Sequence, residues 1–113
     1  MGGQVILDYE INAEELQALL NSKSDVVVLD VREPWEIETA SLASTTNIPM
    51  NDIPSRCEDE LDPEKHIIVI CHHGVRSMNV TAWLRQQGFA RTQSLRGGID
   101  RWAREIDPKV PLY

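Results

Sequence analysis

Two uninterrupted apolar runs stand out in a chain that otherwise mixes hydrophobic and polar residues. They occupy residues 26–29, ending at Asp30, and residues 67–70, ending at Cys71. Runs this short suit strands that are covered on both faces, as in a parallel sheet, better than helices. Because ligands bind beyond the carboxyl ends of such strands, we expect Asp30 and Cys71 on the same rim. A shorter run within residues 1–8 fits either a loose end or an edge strand.

Helical patterns lie between and after these runs. Asn12 and Glu15 have the spacing of a capping box ahead of leucines at helical intervals. The pattern over residues 77–87 predicts a helix that ends at Gly88, and residues 99–106 predict a last helix with one apolar face. Further elements are predicted as short strands at 46–48 and 92–95 and as short helices beginning at Pro34 and Asn51. The alternation predicts an α/β fold whose central, mostly parallel sheet has helices on both faces.

The stretch that joins the second apolar run to the following helix carries the candidate chemistry. A loop that opens onto a helix N-terminus attracts anions through its N–H groups, and Arg76 adds a permanent cation. These surroundings favour the thiolate, so Cys71 is the candidate nucleophile, with a buried structural cysteine as the alternative. The anion-binding loop further includes His72, His73, Gly74, Val75 and Ser77. Its two histidines either shape the field and entrance of the loop or are solvent-facing spacers.

Three segments together indicate a family. Cys-His-His-Gly-Val-Arg-Ser at 71–77 resembles the active loop of rhodanese-like sulfurtransferases. Asp-Val-Arg-Glu-Pro at 30–34 looks like a second signature of that family, and Gly-Gly-Ile at 97–99, followed by Trp102, looks like a third. The matches follow the family's order and imply a single rhodanese-like domain over residues 1–113.

The resemblance also implies a reaction. The Cys71 thiolate would take a sulfane sulfur from thiosulfate or a similar donor, hold it as a persulfide and pass it to a thiol or cyanide acceptor. Arg76 would orient the anionic donor and offset its charge. The expected partners are therefore a small anionic sulfur donor and a sulfur-acceptor protein or small thiol.

Residues after the first apolar run play a supporting part in this interpretation. The resemblance suggests that Asp30 and Arg32 brace the active rim, while the residues themselves favour a salt bridge of Arg32 to Asp30, Glu33 or Glu36. The family usually carries Gly-His-Ile-Pro-Gly-Ala further on, where residues 40–45 read Ala-Ser-Leu-Ala-Ser-Thr. Because the glycines are missing, this loop must take a different path or accept backbone strain.

Composition and charge make some functions and locations less compatible with the sequence than others. The 113 residues include 18 acidic and 11 basic side chains, and the net charge of −7 argues against a nucleic-acid or anionic-membrane surface. Without a membrane-spanning run or a signal pattern, the chain is expected to be cytoplasmic, and we expect a monomer. No cofactor is expected, and no metal, since adjacent loop residues cannot all converge on one tetrahedral ion. Cys57 lies in an acidic stretch where a lowered thiol pKa is not expected, and its role is interpreted as incidental.

Two other function classes stay open. Phosphatases and arsenate reductases also use a cysteine and an arginine in a loop at a helix N-terminus. Related phosphatases place one more residue between the two than the four between Cys71 and Arg76, which favours sulfur over phosphate. The other class is a binding or regulatory module that keeps the fold without turnover.

Overall fold

Five parallel strands form one sheet in the computed structural model, which describes residues 6–113. Their bounds are β1 Glu10–Ile11, β2 Val26–Asp30, β3 Thr46–Asn47, β4 His66–Ile70 and β5 Thr92–Leu95. The spatial order is β1-β5-β4-β2-β3, and every pairing is parallel. The two apolar runs therefore pair with one another near the centre, with Asp30 opposite Ile70. This confirms the predicted sheet and places Cys71 on the same rim as Asp30.

The described residues contain five α-helices. They are α1 Ala13–Asn21, α2 Pro34–Thr39, α3 Ile53–Glu60, α4 Val75–Gln86 and α5 Gly98–Glu105, with a 3-10 turn at Met50–Asp52 before α3. The predicted capping box begins α1, since the Asn12 side chain accepts from the Glu15 N–H and the Glu15 carboxylate accepts from the Asn12 N–H. Helix α4 begins at Val75, two residues before the predicted start, which places Arg76 in its first turn.

Helices cover both faces of the sheet, as predicted. Ile68 and Ile70 join one apolar cluster, and Ile67 and Val69 join the other, because successive strand side chains point to opposite faces. The first cluster takes its helical residues from α1 and α5, among them Leu16, Ile99 and Trp102. The second takes them from α3 and α4, among them Ile53, Val80 and Leu84. Burial on both sides explains why the central strands are apolar without alternation.

The two ends of the chain are only partly explained by the hydrophobic pattern of the sequence. Residues 1–5 lie outside the described residues, and Ile6 to Asp8 form no strand; the edge strand is β1, which pairs with β5. Two residues are too few to show a period, so the sequence pattern missed β1. At the other end, Val110 packs into the core and Tyr113 is partly buried, so the tail packs back onto the domain.

The loop without the family's glycines shows the expected strain at one residue. Ser44 has a φ of 59°, in the left-handed region that non-glycine residues rarely adopt. Its side chain is exposed, so the cost lies in the backbone.

No helix among residues 6–113 is long and apolar enough to cross a membrane.

Candidate active site

Cys71 follows β4 directly and is only 1% exposed at the carboxyl edge of the sheet. Its sulfur accepts hydrogen bonds from the N–H of Gly74 at 3.0 Å and from the N–H of Ser77 at 3.3 Å. The thiol also lies 3.3 Å from Ser77 Oγ. Two backbone donors thus converge on one sulfur at the N-terminus of α4, and the thiol itself donates to Ser77 Oγ. Such a cradle is complementary to negative charge.

Gly74 shapes this cradle. It is the N-cap of α4, and its φ of 108° turns its N–H towards Cys71. A Cβ at this position would also lie 3.2 Å from the backbone nitrogen of Gly97. A side chain at position 74 would therefore strain the backbone and press on the neighbouring turn.

Ser77 connects the sulfur to the sheet. Its Oγ lies 2.7 Å from Ser94 Oγ on β5 and donates to the carbonyl of Gly74 at 3.1 Å. Both serines are fully buried. A hydroxyl can turn its single hydrogen towards a thiolate when a second hydroxyl supplies a hydrogen bond to its oxygen. Ser94 was not among the predicted site residues, although a serine in a buried strand was the available signal.

The turn into α5 fixes the start of the active loop. The N–H of Ile99 donates to the carbonyl of Cys71 at 2.8 Å, and the N–H of Asp100 donates to the carbonyl of His72 at 3.1 Å. A Cβ on Gly98 would lie 2.4 Å and 2.5 Å from those same two carbonyl oxygens, so no side chain fits there. The glycine pair at 97–98 thus brings α5 into contact with the loop.

Arg76 is paired within the protein. Its Nη1 and Nη2 donate to the two carboxylate oxygens of Glu36 at 2.7 Å and 2.8 Å. The side chain of Arg76 is 35% exposed and that of Glu36 only 5%. Hydrogen bonds from Arg76 first, and then from Tyr113, lower the pKa of Glu36 to about 2 against the effect of its burial. The sequence predicted Arg76 as a permanent cation; in the structure the buried carboxylate of Glu36 offsets its charge.

Glu36 occupies the place expected for apolar residues of α2. Glu36 is buried, whereas the apolar Trp35 beside it is 61% exposed. Glu36 also accepts from the N–H of Glu33 at 3.1 Å, closing the first turn after Pro34. A glutamate three residues after the N-cap is a recognisable signal for the start of a helix, but it does not indicate that the side chain is buried.

Asp30 and Arg32 form an ion pair that is fully buried below the loop. Arg32 donates through Nε at 2.9 Å and Nη2 at 2.7 Å to the Asp30 carboxylate. Its remaining donors reach the carbonyls of Glu36 and Ala40 and the hydroxyl of Tyr113. Of the partners considered for Arg32, Asp30 forms the ion pair. Its complete burial excludes direct contact of Arg32 with a substrate in this conformation.

The two loop histidines differ in environment. His73 is exposed, whereas the ring of His72 stacks on His73 and on Tyr113, each with a centroid distance of 3.9 Å. Burial first, and then the neighbouring His73, lower the pKa of His72. Tyr113 lies in a tail whose sequence shows no periodic pattern. Its stacking on His72 is therefore visible only in the structure. Val75 and Ser77, both predicted as loop residues, lie in the first turn of α4, where Val75 is exposed and Ser77 is buried.

One group of potential metal ligands lies beside the loop. His72, His73 and Asp100 each place a donor atom within 4.8 Å of the other two. The two imidazole rings are stacked on one another, 3.9 Å apart, and Asp100 already accepts from Arg104 at 3.0 Å. We therefore assign no metal to this group, and the expectation of a metal-free site stays a prediction.

The second cysteine lies away from the loop. Cys57 is buried in the apolar cluster under α3 and α4, and burial raises the pKa of its thiol. Such a thiol is a core side chain with little tendency to react.

Comparison with known proteins places this geometry in a family. The model of the rhodanese-like domain matches residues 12–105. A sulfurtransferase of Allochromatium vinosum is 38% identical over 101 residues, covering 89% of this chain and 94% of that protein. The crystal structure of a rhodanese-related protein from Thermoplasma volcanium matches with a TM-score of 0.80 and 35% identity, covering 94% of this chain and 100% of that one.

Another relative is much longer than this chain. The chloroplastic rhodanese-like/PpiC domain-containing protein 12 of Arabidopsis thaliana is 36% identical over 110 residues, which are 92% of this chain but 37% of that protein. The relatives named as sulfurtransferases support sulfurtransferase activity in general. Because the family model matches most of its length, the chain belongs to the rhodanese-like domain family.

Proposed function

We propose that this protein is a rhodanese-type sulfurtransferase in which Cys71 carries the sulfur. The observation on which this rests is the pair of backbone N–H groups, from Gly74 and Ser77, that point at the Cys71 sulfur. Donors fixed in advance around an atom that becomes negatively charged stabilise that charge without further reorganisation.

In the first step the Cys71 thiolate attacks the outer sulfur of thiosulfate. A new sulfur–sulfur bond forms to Cys71, the sulfur–sulfur bond of thiosulfate breaks, and sulfite leaves with the electron pair. The product on the protein is a persulfide anion. The N–H groups of Gly74 and Ser77, which point at the Cys71 sulfur, would stabilise the thiolate before it attacks.

In the second step a nucleophilic acceptor attacks the terminal sulfur of the persulfide. Cyanide gives thiocyanate, and a thiolate gives a new persulfide on the acceptor. The Cys71 sulfur leaves with the electron pair, so the thiolate is restored. No external oxidant or reductant is consumed.

Arg76 would bind the anionic donor while remaining paired. Its two terminal nitrogens hold Glu36, and no hydrogen bond from its Nε is found within residues 6–113. An arginine has five N–H donors, so the fork to Glu36 leaves others for a sulfonate oxygen. In this proposal Asp30 and Arg32 support the rim, and His72, His73 and Val75 belong to the anion-binding loop. A cytoplasmic location, a monomeric state and the domain boundaries 1–113 stay predictions.

Turnover of thiosulfate with cyanide tests the proposal. We expect thiocyanate formation by the wild type and a loss of about 1,000-fold or more in Cys71→Ser, because the oxygen nucleophile cannot form a persulfide. Cys57→Ala is the matched control and should keep its activity, with folding checked by circular dichroism. Activity that survives in Cys71→Ser would reject Cys71 as the sulfur carrier. A folded wild type that turns over neither thiosulfate nor another sulfane donor would favour a binding module.

A further inference from the structure

We propose that Tyr113 is a positioning residue for sulfur transfer, holding the active loop at both ends through its ring and its hydroxyl. The inference rests on the proposed function, because it concerns the same reaction. It assigns a role to the tail of the chain, which none of the three family-like segments includes.

The ring of Tyr113 holds the start of the loop. It stacks on His72 with a centroid distance of 3.9 Å and an angle of 4° between the planes. On its other side the edge of Trp35 approaches at 6.1 Å and 81°. His72 directly follows the nucleophile, so the tyrosine restrains the backbone next to Cys71.

The hydroxyl of Tyr113 reaches the residue that holds the end of the loop. It donates to Glu36 Oε2 at 2.7 Å and accepts from Arg32 Nη1 at 2.8 Å. A phenol has one hydrogen and free lone pairs, so it can do both at once. The hydroxyl therefore connects the buried Asp30–Arg32 pair with the Glu36–Arg76 pair.

This connection determines where Arg76 lies. Arg76 is partly exposed, and the hydrogen bonds found for its guanidinium among the described residues all go to Glu36. Without the phenol, one oxygen of Glu36 loses a donor and Arg32 keeps an unused N–H in a buried place, so both side chains are free to shift. The donors on Cys71 come from the backbone of Gly74 and Ser77 and do not involve Tyr113. Removing the hydroxyl should thus weaken donor binding more than the chemistry at sulfur.

Two substitutions separate the ring from the hydroxyl. In Tyr113→Phe the stack on His72 remains, and we expect the KM for thiosulfate to rise about fivefold to tenfold with kcat within about twofold. In Tyr113→Ala both contacts are lost, and kcat should fall as well because the start of the loop is no longer restrained. Tyr9→Phe is the control, because Tyr9 is exposed and its ring lies against Arg85, outside the site.

A double-mutant cycle tests whether the hydroxyl acts through Arg76. If it does, Tyr113→Phe should change KM less than about twofold in an Arg76→Ala background, because the group that it positions is gone. A general loss of stability would lower the melting temperature without this dependence on Arg76. An unchanged KM in the single variant, or the same rise in both backgrounds, would overturn the inference.

The outcome for the wild type separates this inference from the proposed function. A wild type that neither forms a persulfide nor turns over overturns both. An active wild type whose Tyr113→Phe variant behaves like Tyr9→Phe leaves the sulfurtransferase proposal intact and overturns only the role of Tyr113.

Discussion

The two residues assigned to the reaction have opposite surroundings. Cys71 is buried under N–H donors that would stabilise a negative sulfur, whereas Arg76 reaches solvent but is neutralised by Glu36. The proposed positive field at the loop therefore comes chiefly from backbone dipoles. Such dipoles do not require a charged side chain to be buried. Arg76 then contributes directed hydrogen bonds more than net charge.

The Glu36–Arg76 pair should make stability depend on acid pH. The pKa of Glu36 falls from 4.5 to about 2 on folding, so the contribution of the pair is complete above about pH 4.5 and is lost as the pH falls towards 2. Allowing for solvent at Arg76, we expect the wild type to lose about 1–2 kcal/mol more of its free energy of unfolding between pH 6 and pH 3 than Glu36→Gln.

Denaturant unfolding at both pH values measures this difference. Glu38→Gln, on the exposed side of the same helix, is the control and should keep the wild-type acid dependence. An equal loss in wild type and Glu36→Gln would show that the pair does not stabilise the fold.

The sequence predicted the positions of single site residues better than it predicted the groups that they contact. Cys71 could be placed because an apolar strand ends at it and a glycine and a helix follow. Glu36 and Tyr113 could not, because their partners lie 40 and 77 residues apart in the chain, and a buried glutamate contradicts the usual preference of that residue. Only the fold brings these groups together.

Two short connections have backbone features that the hydrophobic pattern does not show. The turn into α5 lies against the loop carbonyls at Gly98, and the strained loop before β3 carries Ser44 in the left-handed region. The strands and helices were predictable because burial on two faces and capping follow simple periods. β1 was missed because two residues show no period. The close approach at Gly98 does not show in the hydrophobic pattern, because it is a contact between two backbone segments.

Gly98→Ala should damage both folding and sulfur transfer. A methyl group there meets two carbonyl oxygens of the loop at less than 3 Å, so we expect a loss of more than about 2 kcal/mol and a large fall in activity. Gly88→Ala is a matched control, since its φ is also positive, at 100°, but a Cβ there meets nothing within 4 Å. Its expected cost is only about 1 kcal/mol, with activity kept. Equal effects of the two substitutions in thermal unfolding and turnover would contradict the close approach.

Ser44→Gly should stabilise the protein. Glycine adopts a positive φ without the steric cost that serine meets, so we expect a gain of about 0.5–1 kcal/mol in the free energy of unfolding. Ser41→Gly, at an exposed serine of the same loop without positive φ, should instead be neutral or destabilising. A loss of stability in Ser44→Gly, measured by denaturant unfolding, would show that the left-handed conformation carries no strain.

The whole molecule repels the donor that its loop would bind. The net charge is −7, while the attraction for an anion is confined to the N-terminus of α4 and the loop before it. The long-range repulsion acts over a distance set by salt, and the hydrogen bonds of the loop act only at contact. Because salt screens the long-range repulsion but not the hydrogen bonds at contact, changing the ionic strength tests how the donor approaches the protein.

Salt should speed the reaction with an anionic donor. Raising the ionic strength from about 0.01 to 0.15 M shortens the screening length from about 30 to about 8 Å, and we expect the second-order rate constant with thiosulfate to rise about twofold to threefold. Stopped-flow measurement of sulfite release gives this rate, with alkylation of Cys71 by neutral iodoacetamide as the control. A rate that falls with salt would mean that the local positive field dominates the approach.

The sulfur-carrying role of Cys71 can be tested by one measurement, the intact mass of wild type and Cys71→Ser after incubation with thiosulfate in the absence of reductant. We expect the wild type alone to gain the mass of one sulfur atom, and we expect cyanide to remove it. A wild type that gains no sulfur, or a Cys71→Ser variant that gains as much, would contradict the account.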